Sequence, residues 1–334
     1  MWSFQLIETV GQFKKIEREI PQPREEEVLI RFKAASINAR DAGIITGHYP
    51  VTYPRIPLSD GAGVIEAIGS QVNDYAVGDA VISCFYPFWE SGEANLDNHR
   101  ASLGLETDGI LSEFYCLPAS AIVPMPRHLS FAEAATLPCA ALTAWSALMT
   151  KGRLRPGEHV LIQGTGGVAI FTLQLAKLLG AEVTVISSSD ERLQRVEKMG
   201  ADHLVNYITQ PKWSEAVLEK TNGKGVDLVV ELGGGETLSQ SLKSVKVGGR
   251  ISLIGVLTGV NASISIADIL FRHVQINGIT VGHRQDFLAL NKMLEYTQIR
   301  PVIEKSYSLN QIKDAYIQMA KGGHFGKLVI RDRD

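Results

Sequence analysis

The stretch His159-Val160-Leu161-Ile162-Gln163-Gly164-Thr165-Gly166-Gly167-Val168-Ala169 constrains this chain more than any other. An apolar strand runs into Gly164-x-Gly166-x-x-Ala169. Ile170 to Leu179 then carries on with helical character and is stopped by Gly180. A first glycine allows the sharp turn, a second lets backbone approach a pyrophosphate, and a small third residue lets helix pack on sheet. The free N–H groups and dipole at that helix start favour a bound diphosphate. A glycine triplet alone also fits an ordinary tight turn. Strand, turn and helix in this order make it a dinucleotide site.

The chain has 334 residues, more than one hydrophobic core usually serves, so two domains are expected. A net charge of −3 creates no field to attract nucleic acid or an anionic membrane, and neither is expected as a partner. No apolar run reaches the roughly 20 residues of a membrane span, and the first residues lack the pattern of a signal peptide. Three widely spaced cysteines, Cys84, Cys116 and Cys139, do not make a disulfide framework. A reducing cytoplasm is the expected compartment.

Residues 1 to about 122 read as short strands separated by turn signals, for example 27–35, 63–69 and 80–85, with a long polar and aromatic loop at 87–108. Ser130 and Glu133 form a capping box ahead of a helix at 131–137, and a second apolar helix is expected from Ala140 to Met149. Strands at 159–163, 182–187, 203–206, 226–231, 250–255 and 275–281 then alternate with helices near 167–179, 190–199, 212–221 and 236–245. That alternation means a parallel sheet with right-handed crossovers, covered on both faces. A helix at 286–297 and a strand at Lys327–Ile330 return to the first module.

Several motifs together resemble the medium-chain dehydrogenase/reductase superfamily, in its zinc-free, quinone oxidoreductase-like branch. They are Ser36-Ile37-Asn38-Ala39-Arg40-Asp41, Asp60-Gly61-Ala62-Gly63-Val64-Ile65, Val77-Gly78-Asp79-Ala80-Val81, Leu142-Thr143-Ala144-Trp145, the glycine turn, and Gly326-Lys327-Leu328-Val329. The resemblance implies an α/β chain with a discontinuous GroES-like catalytic domain, 1–122 with 285–334, and a Rossmann nucleotide-binding domain, 123–284. Cofactor and substrate would share the cleft between them.

Catalytic zinc needs thiolate, imidazole or carboxylate ligands, typically three from protein. The zinc-dependent members carry a cysteine near Asn38-Ala39-Arg40-Asp41 and Gly-His-Glu before the small-residue strand. Here there is no such cysteine, and Leu58-Ser59-Asp60 stands in the second place. The cysteines of a structural zinc lobe are missing between 85 and 108, and His48, His99 and Asp97 read as surface loop residues. No metal is expected.

An NAD site usually ends its second strand in Asp or Glu, which binds the ribose hydroxyls. This strand ends in Ser187-Ser188-Ser189, with Arg192 following. Hydroxyls and a guanidinium suit a 2′-phosphate through charge-assisted hydrogen bonds. Ser189 also reads as a plain helix cap, and Asp190 could reach a ribose and admit NADH. NADPH is the expected cofactor, with NADH the alternative.

Further roles follow from the resemblance. Gly164, Thr165, Gly166, Gly167 and Val168 would cradle the diphosphate. Ser187, Ser188, Arg192 and Tyr207 would hold the adenosine phosphate. By their own pattern, Gly233, Gly234 and Gly235 after the fourth strand suit either close backbone approach to its ribose or a simple turn. Gly255 and Val256 would lie beside the nicotinamide, Thr143 near its carboxamide, and Asn38 in the substrate cleft. Arg284 and Lys327 would neutralise diphosphate or substrate charge, although a solvated face explains Lys327 equally well. Tyr49 stands where enoyl thioester reductases of the superfamily have a proton-donating tyrosine, with His48, Asp41 and Tyr53 as other donors. The aromatic loop Phe85-Tyr86-Pro87-Phe88-Trp89 could stack a planar substrate or simply pack.

Without a Lewis acid to hold an alkoxide, plain ketone or alcohol chemistry is disfavoured. Hydride transfer to a quinone or an α,β-unsaturated carbonyl avoids that difficulty. A zinc-independent alcohol or aldehyde dehydrogenase and an NADPH-binding protein with little turnover remain as other readings. The strand at 275–281 would be the edge of the nucleotide sheet, with Ile276, Ile279 and Val281 offering apolar surface. Edge pairing across a two-fold axis would give a homodimer.

Overall fold

The computed structural model describes residues 1–7 and 12–332. Two compact units are formed, one from Met1–Leu142 with Val281–Asp334 and the other from Thr143–Thr280. The resemblance implies divisions at 122/123 and 284/285. The later first division follows from where 123–142 is anchored, in the first unit. Ser130 and Glu133 cap a short helix there, Arg300 pairs with Glu133 at 2.9 Å, and the Cys139 N–H reaches Asp60 at 3.1 Å.

The first unit contains β1 (Trp2–Leu6), β2 (Phe13–Glu17), β3 (Glu27–Ile37), α1 (Ala39–Ile45), β4 (Asp60–Ile68), β5 (Ala80–Ser83), β6 (Phe114–Pro118), β7 (Ile122–Pro124) and α2 (Phe131–Ala134). Its long sheet has the order β14-β15-β3-β4-β5-β7, with β6 also paired to β3; the C-terminal part of the chain supplies β14 (Ile303–Ser308) and β15 (Lys327–Arg331). β3 shows why it is central: Val28, Ile30, Phe32, Ala35 and Ile37 are all but fully buried, while Arg31 and Lys33 point to solvent. Tyr307, Ile312, Tyr316, Leu328 and Ile330 close the same core, which ties the C-terminal segment to this unit. Full burial of each such side chain contributes about 1.5–3 kcal/mol.

In place of one regular helix at Ala140–Met149, the chain makes wide π-helical turns at Leu137–Ala141 and Ser146–Thr150, on either side of the short α3 (Leu142–Trp145). Pro138 near the start lacks the N–H that regular winding would use. Turns of this kind often sit at functional sites, and Thr143 lies between them, 2% exposed.

The second unit runs β8 (His159–Gln163), α4 (Gly167–Leu178), β9 (Glu182–Ser187), α5 (Asp190–Lys198), β10 (His203–Asn206), α6 (Trp213–Lys220), β11 (Val226–Glu231), α7 (Leu238–Ser244), β12 (Val245–Leu253), α8 (Ile266–Leu270) and β13 (Gln275–Gly278). All six strands are parallel in the order β10-β9-β8-β11-β12-β13, the order of a doubly wound nucleotide-binding sheet. β8 is buried along its whole length, as expected of a strand covered on both faces.

The last strand ends earlier than expected, at Gly278 rather than Val281. Val281 adopts φ +86, a conformation incompatible with a strand. Ile279 and Val281 are each 6% exposed and pack inside the chain, so neither offers the edge any apolar surface. After that turn the first unit resumes with α9 (Arg284–Thr297) and α10 (Ile312–Lys321), the latter between β14 and β15. Among the described residues no helix is long and apolar enough to cross a membrane.

Candidate active site

The glycine turn has the geometry its spacing requires. Gly164 adopts φ +75, in the left-handed region, and a Cβ there would meet open space. The turn is pinned by the Gly164 N–H to Ile186 O at 2.7 Å. Gly166 is the N-cap of α4, and its carbonyl accepts from the Ile170 N–H at 3.0 Å. Thr165 is 4% exposed, Gly167 and Val168 form the first helical turn, and Ala169 is 2% exposed. Helix and sheet therefore touch through that small residue, with unpaired N–H groups at the start of α4.

The next strand ends as its serines suggested. Ser187 is buried, its carbonyl accepts from the Tyr207 N–H at 3.1 Å, and the Ser189 side chain caps α5 through the Arg192 N–H. The Arg192 guanidinium turns back on the same loop and donates to Ser188 Oγ at 2.8 Å, and its Nε is buried without a partner. Cap and guanidinium share one helix start. Asp190 does not reach back to the turn; its Oδ1 accepts from Asn206 Nδ2 at 2.7 Å. Tyr207 lies beside Ser187 and is 37% exposed.

Where the strand order reverses, between β8 and β11, the structure shows a network absent from the sequence reading. Glu231, fully buried, accepts from Gln163 Nε2 at 2.7 Å, from Thr237 Oγ1 at 2.6 Å, from Ser241 Oγ, and from the Gly233 and Gly234 N–H groups at 2.9 Å. Gln163 Oε1 in turn accepts from the Leu232 and Gly233 N–H groups at 3.0 and 2.9 Å. Five donors on one carboxylate leave it satisfied in the interior, and they fix the loop that carries Gly233. A Cβ on Gly233 would strike the Thr237 side chain at 2.3 Å, and one on Gly255 would strike the Leu232 carbonyl at 1.8 Å. Both positions need glycine for close packing. Val256, next to Gly255, is 45% exposed.

In the first unit a buried polar cluster surrounds Asn38. Asn38 is 6% exposed and precedes α1, and its N–H donates to Asp41 Oδ2 at 2.8 Å. Lys327 is 2% exposed and donates to the Ile37 carbonyl at 3.0 Å and to Asn38 Oδ1. A solvated face is thus not the explanation for Lys327. With Oδ1 taken, Asn38 Nδ2 is left buried with no partner. Burial pushes the Asp41 carboxyl upward, opposed by the neighbouring Arg40; from the third helical position it closes the capping box whose N-cap is Asn38. Arg40 holds Ser102 Oγ and Leu103 O at 2.8 and 2.7 Å and stacks on Phe85 at 4.2 Å.

The position that would carry zinc ligands is closed on itself. Ser59 Oγ donates to Asp60 Oδ1 at 2.7 Å and the Cys139 N–H to Oδ2 at 3.1 Å. Burial pushes the Cys139 thiol up to about 12, reinforced by Asp60. His48, His99 and Asp97 are not brought together as a ligand set. Among the described residues the one such group is His159, Glu182 and His203.

The remaining residues are held by local packing. The Tyr49 ring lies against Gly43 of α1, where an added Cβ would be 2.6 Å from Cε2. Arg284 is committed to Ile122 O at 2.9 Å and Tyr75 Oη at 3.2 Å. The aromatic loop is largely self-satisfied: Tyr86 and Trp89 pack on His99, Trp89 on His283, and Phe88 lies under Arg100.

Comparison with known proteins supports the fold and the family. Residues 24–127 match the alcohol dehydrogenase GroES-like domain, and residues 167–295 match the zinc-binding dehydrogenase family. A zinc-type alcohol dehydrogenase-like protein of Schizosaccharomyces pombe is 41% identical, over 97% of this chain and 96% of its own. An acryloyl-coenzyme A reductase of Sulfurisphaera tokodaii is 30% identical, over 93% and 94%. A solved Sinorhizobium meliloti 1021 protein, provisionally named an alcohol dehydrogenase, superimposes with a TM-score of 0.93 at 40% identity, over 99% and 98% of the two chains.

Proposed function

Because this chain belongs to the medium-chain dehydrogenase/reductase superfamily of NAD(P)-dependent oxidoreductases, we propose that it is an NADPH-dependent reductase of quinones or α,β-unsaturated carbonyls that works without a catalytic metal. The observation that carries this reading is the closed Ser59–Asp60–Cys139 arrangement. A hydroxyl stands where an imidazole would be needed, and both oxygens of the adjacent carboxylate already accept hydrogen bonds. With no Lewis acid for an alkoxide, an acceptor that delocalises its own charge is the chemically consistent partner.

The nucleotide supplies the hydride, and the protein supplies orientation and electrostatics. Gly164 to Val168 present backbone N–H groups to a diphosphate. Ser187, Ser188, Arg192 and Tyr207 receive the 2′-phosphate, for which the unpartnered Arg192 Nε is a ready donor. Gly233, Gly255 and Val256 let backbone approach the nucleoside ends, and Thr143 meets the carboxamide. Asn38 Nδ2, held in orientation by Lys327, donates to the substrate oxygen that becomes negative. The Sulfurisphaera tokodaii relative, a reductase of acryloyl-coenzyme A, supports an activated alkene as one substrate class.

We also infer a homodimer. β13 is the sheet edge, and the segment leading into it exposes Leu257, Val260, Ile266, Leu270 and Phe271, each 62–79% accessible. A run of large apolar side chains beside an unpaired edge suits a second copy of the chain.

The test is turnover of chelator-stripped protein with NADPH and a panel of quinones, enones, enoyl thioesters and simple aldehydes. Activity on the first three classes, unchanged by chelation, is expected. Activity confined to aldehydes and restored only by zinc would overturn the reading.

A further inference from the structure

At the ends of the strands opposite the glycine turn, two imidazoles and a carboxylate converge. His159, Glu182 and His203 are the first residues of β8, β9 and β10, three neighbouring strands. His159 stands opposite Glu182 in the pairing, and His203 stands opposite Thr184. Glu182 and Thr184 lie two apart, so they share one face of the sheet. His203 Nε2 is 2.6 Å from Glu182 Oε1, and His159 Nδ1 is 3.6 Å from Glu182 Oε2. The two rings stack at 5.5 Å with 27° between their planes, and one ligand atom from each residue lies within 4.8 Å of the others.

We propose that His159, Glu182 and His203 form a binding site for a divalent transition-metal ion of the zinc class, which clips the three strands together at the end remote from the nucleotide turn. Two imidazoles and one carboxylate are a zinc donor set, with water filling the fourth position. Such nitrogen-rich ligands favour zinc, cobalt, nickel or copper over magnesium or calcium. The buried His159 ring is held from behind: its Nε2 is 2.7 Å from Thr184 Oγ1, which leaves Nδ1 to face Glu182. A hydroxyl holding the far nitrogen is the arrangement that orients ligating histidines.

The site takes no part in hydride transfer. Its role is stability of the nucleotide-binding unit, because an ion bound only by the folded state raises the unfolding temperature.

The test uses full-length protein stripped with chelator, then titrated with Co²⁺ and followed by visible ligand-field absorption, with Zn²⁺ added as competitor. One equivalent of Co²⁺ should give tetrahedral-type bands that Zn²⁺ abolishes. His203→Gln and Glu182→Gln, both at solvent-accessible side chains, should weaken binding at least as much as the roughly tenfold that loss of a mere orienting partner costs. His273→Gln, at an exposed histidine elsewhere, should bind as wild type. Zn²⁺ should raise the melting temperature of wild type and His273→Gln only. Absent bands, or equal Zn²⁺ affinity in wild type and both site variants, would overturn the proposal.

Discussion

Lys327 donates its ammonium to the side-chain oxygen of Asn38, and both residues are buried although 289 positions apart. This single contact fixes the amide so that oxygen faces lysine and nitrogen is left as an unspent donor. It also explains why a lysine is found inside a β core: Ile37 O and Asn38 Oδ1 supply acceptors for its ammonium.

Replacing Lys327 with Met should therefore strand two buried acceptors. An unsatisfied buried acceptor costs about 1–3 kcal/mol, so the chemical denaturation midpoint should fall by a clearly measurable amount. Asn38→Ala should stay folded and lose kcat/KM instead. A Lys327→Met protein as stable as wild type would show that the lysine does not satisfy this pair.

Arg192→Ala separates the two nicotinamide cofactors. Loss of a charge-assisted hydrogen bond to the 2′-phosphate removes about 1.5–3 kcal/mol, or roughly tenfold or more in affinity. NADPH binding should weaken by that factor and NADH binding should hardly change in fluorescence titration. Equal losses for both would place the guanidinium away from the phosphate.

Glu133 gives a pH signature. Burial alone would raise its carboxyl, but hydrogen bonds from the Ser130 backbone and hydroxyl and from Arg300 outweigh that and lower it. A lowered folded pKa means stability that is complete above the ordinary carboxylate range and lost as pH falls through the lowered value. Ser130→Ala should cost about 1 kcal/mol through the lost cap. The stability difference between wild type and Glu133→Gln should be flat near neutral pH and narrow below about pH 4. A gap that widens on acidification would mean that the folded state raises the Glu133 carboxyl instead of lowering it.

Assembly is tested at the C-cap of α8. Phe271→Glu places a charge on the apolar run beside β13, and light scattering should show a dimer for wild type and a monomer for the variant. A wild-type monomer at micromolar concentration would remove the dimer.

Much of the second unit was legible because each strand and helix has its own periodicity and its own stop signal. β8, β9, β10 and β11 begin and end where the residues indicate. The capping box at Ser130 was legible for the same reason, since its chemistry is local. The α10 helix and β14, by contrast, lie in a segment whose apolar residues are spent on a core built from β3, nearly the whole chain away. Glu231 and Lys327 were misjudged or missed because charge in a sequence reads as surface. Only the fold brings Gln163, Thr237 and Ser241 to one of them and Asn38 to the other. Edge apolarity was expected on β13 itself, but Ile279 and Val281 turn inward after the strand stops. The wide turns around Thr143 had no sequence signal beyond Pro138.

A chain that moves a hydride from NADPH to an activated acceptor must consume its bound nucleotide stoichiometrically. The direct measurement is single-turnover oxidation of protein-bound NADPH under anaerobic conditions, mixed rapidly with a small set of quinones and enones and followed by nicotinamide absorbance. At least one of them should consume one equivalent of bound NADPH, and Asn38→Ala should slow this step without releasing the nucleotide. Bound NADPH that stays reduced with every acceptor would contradict it and leave a nucleotide-binding protein without this chemistry.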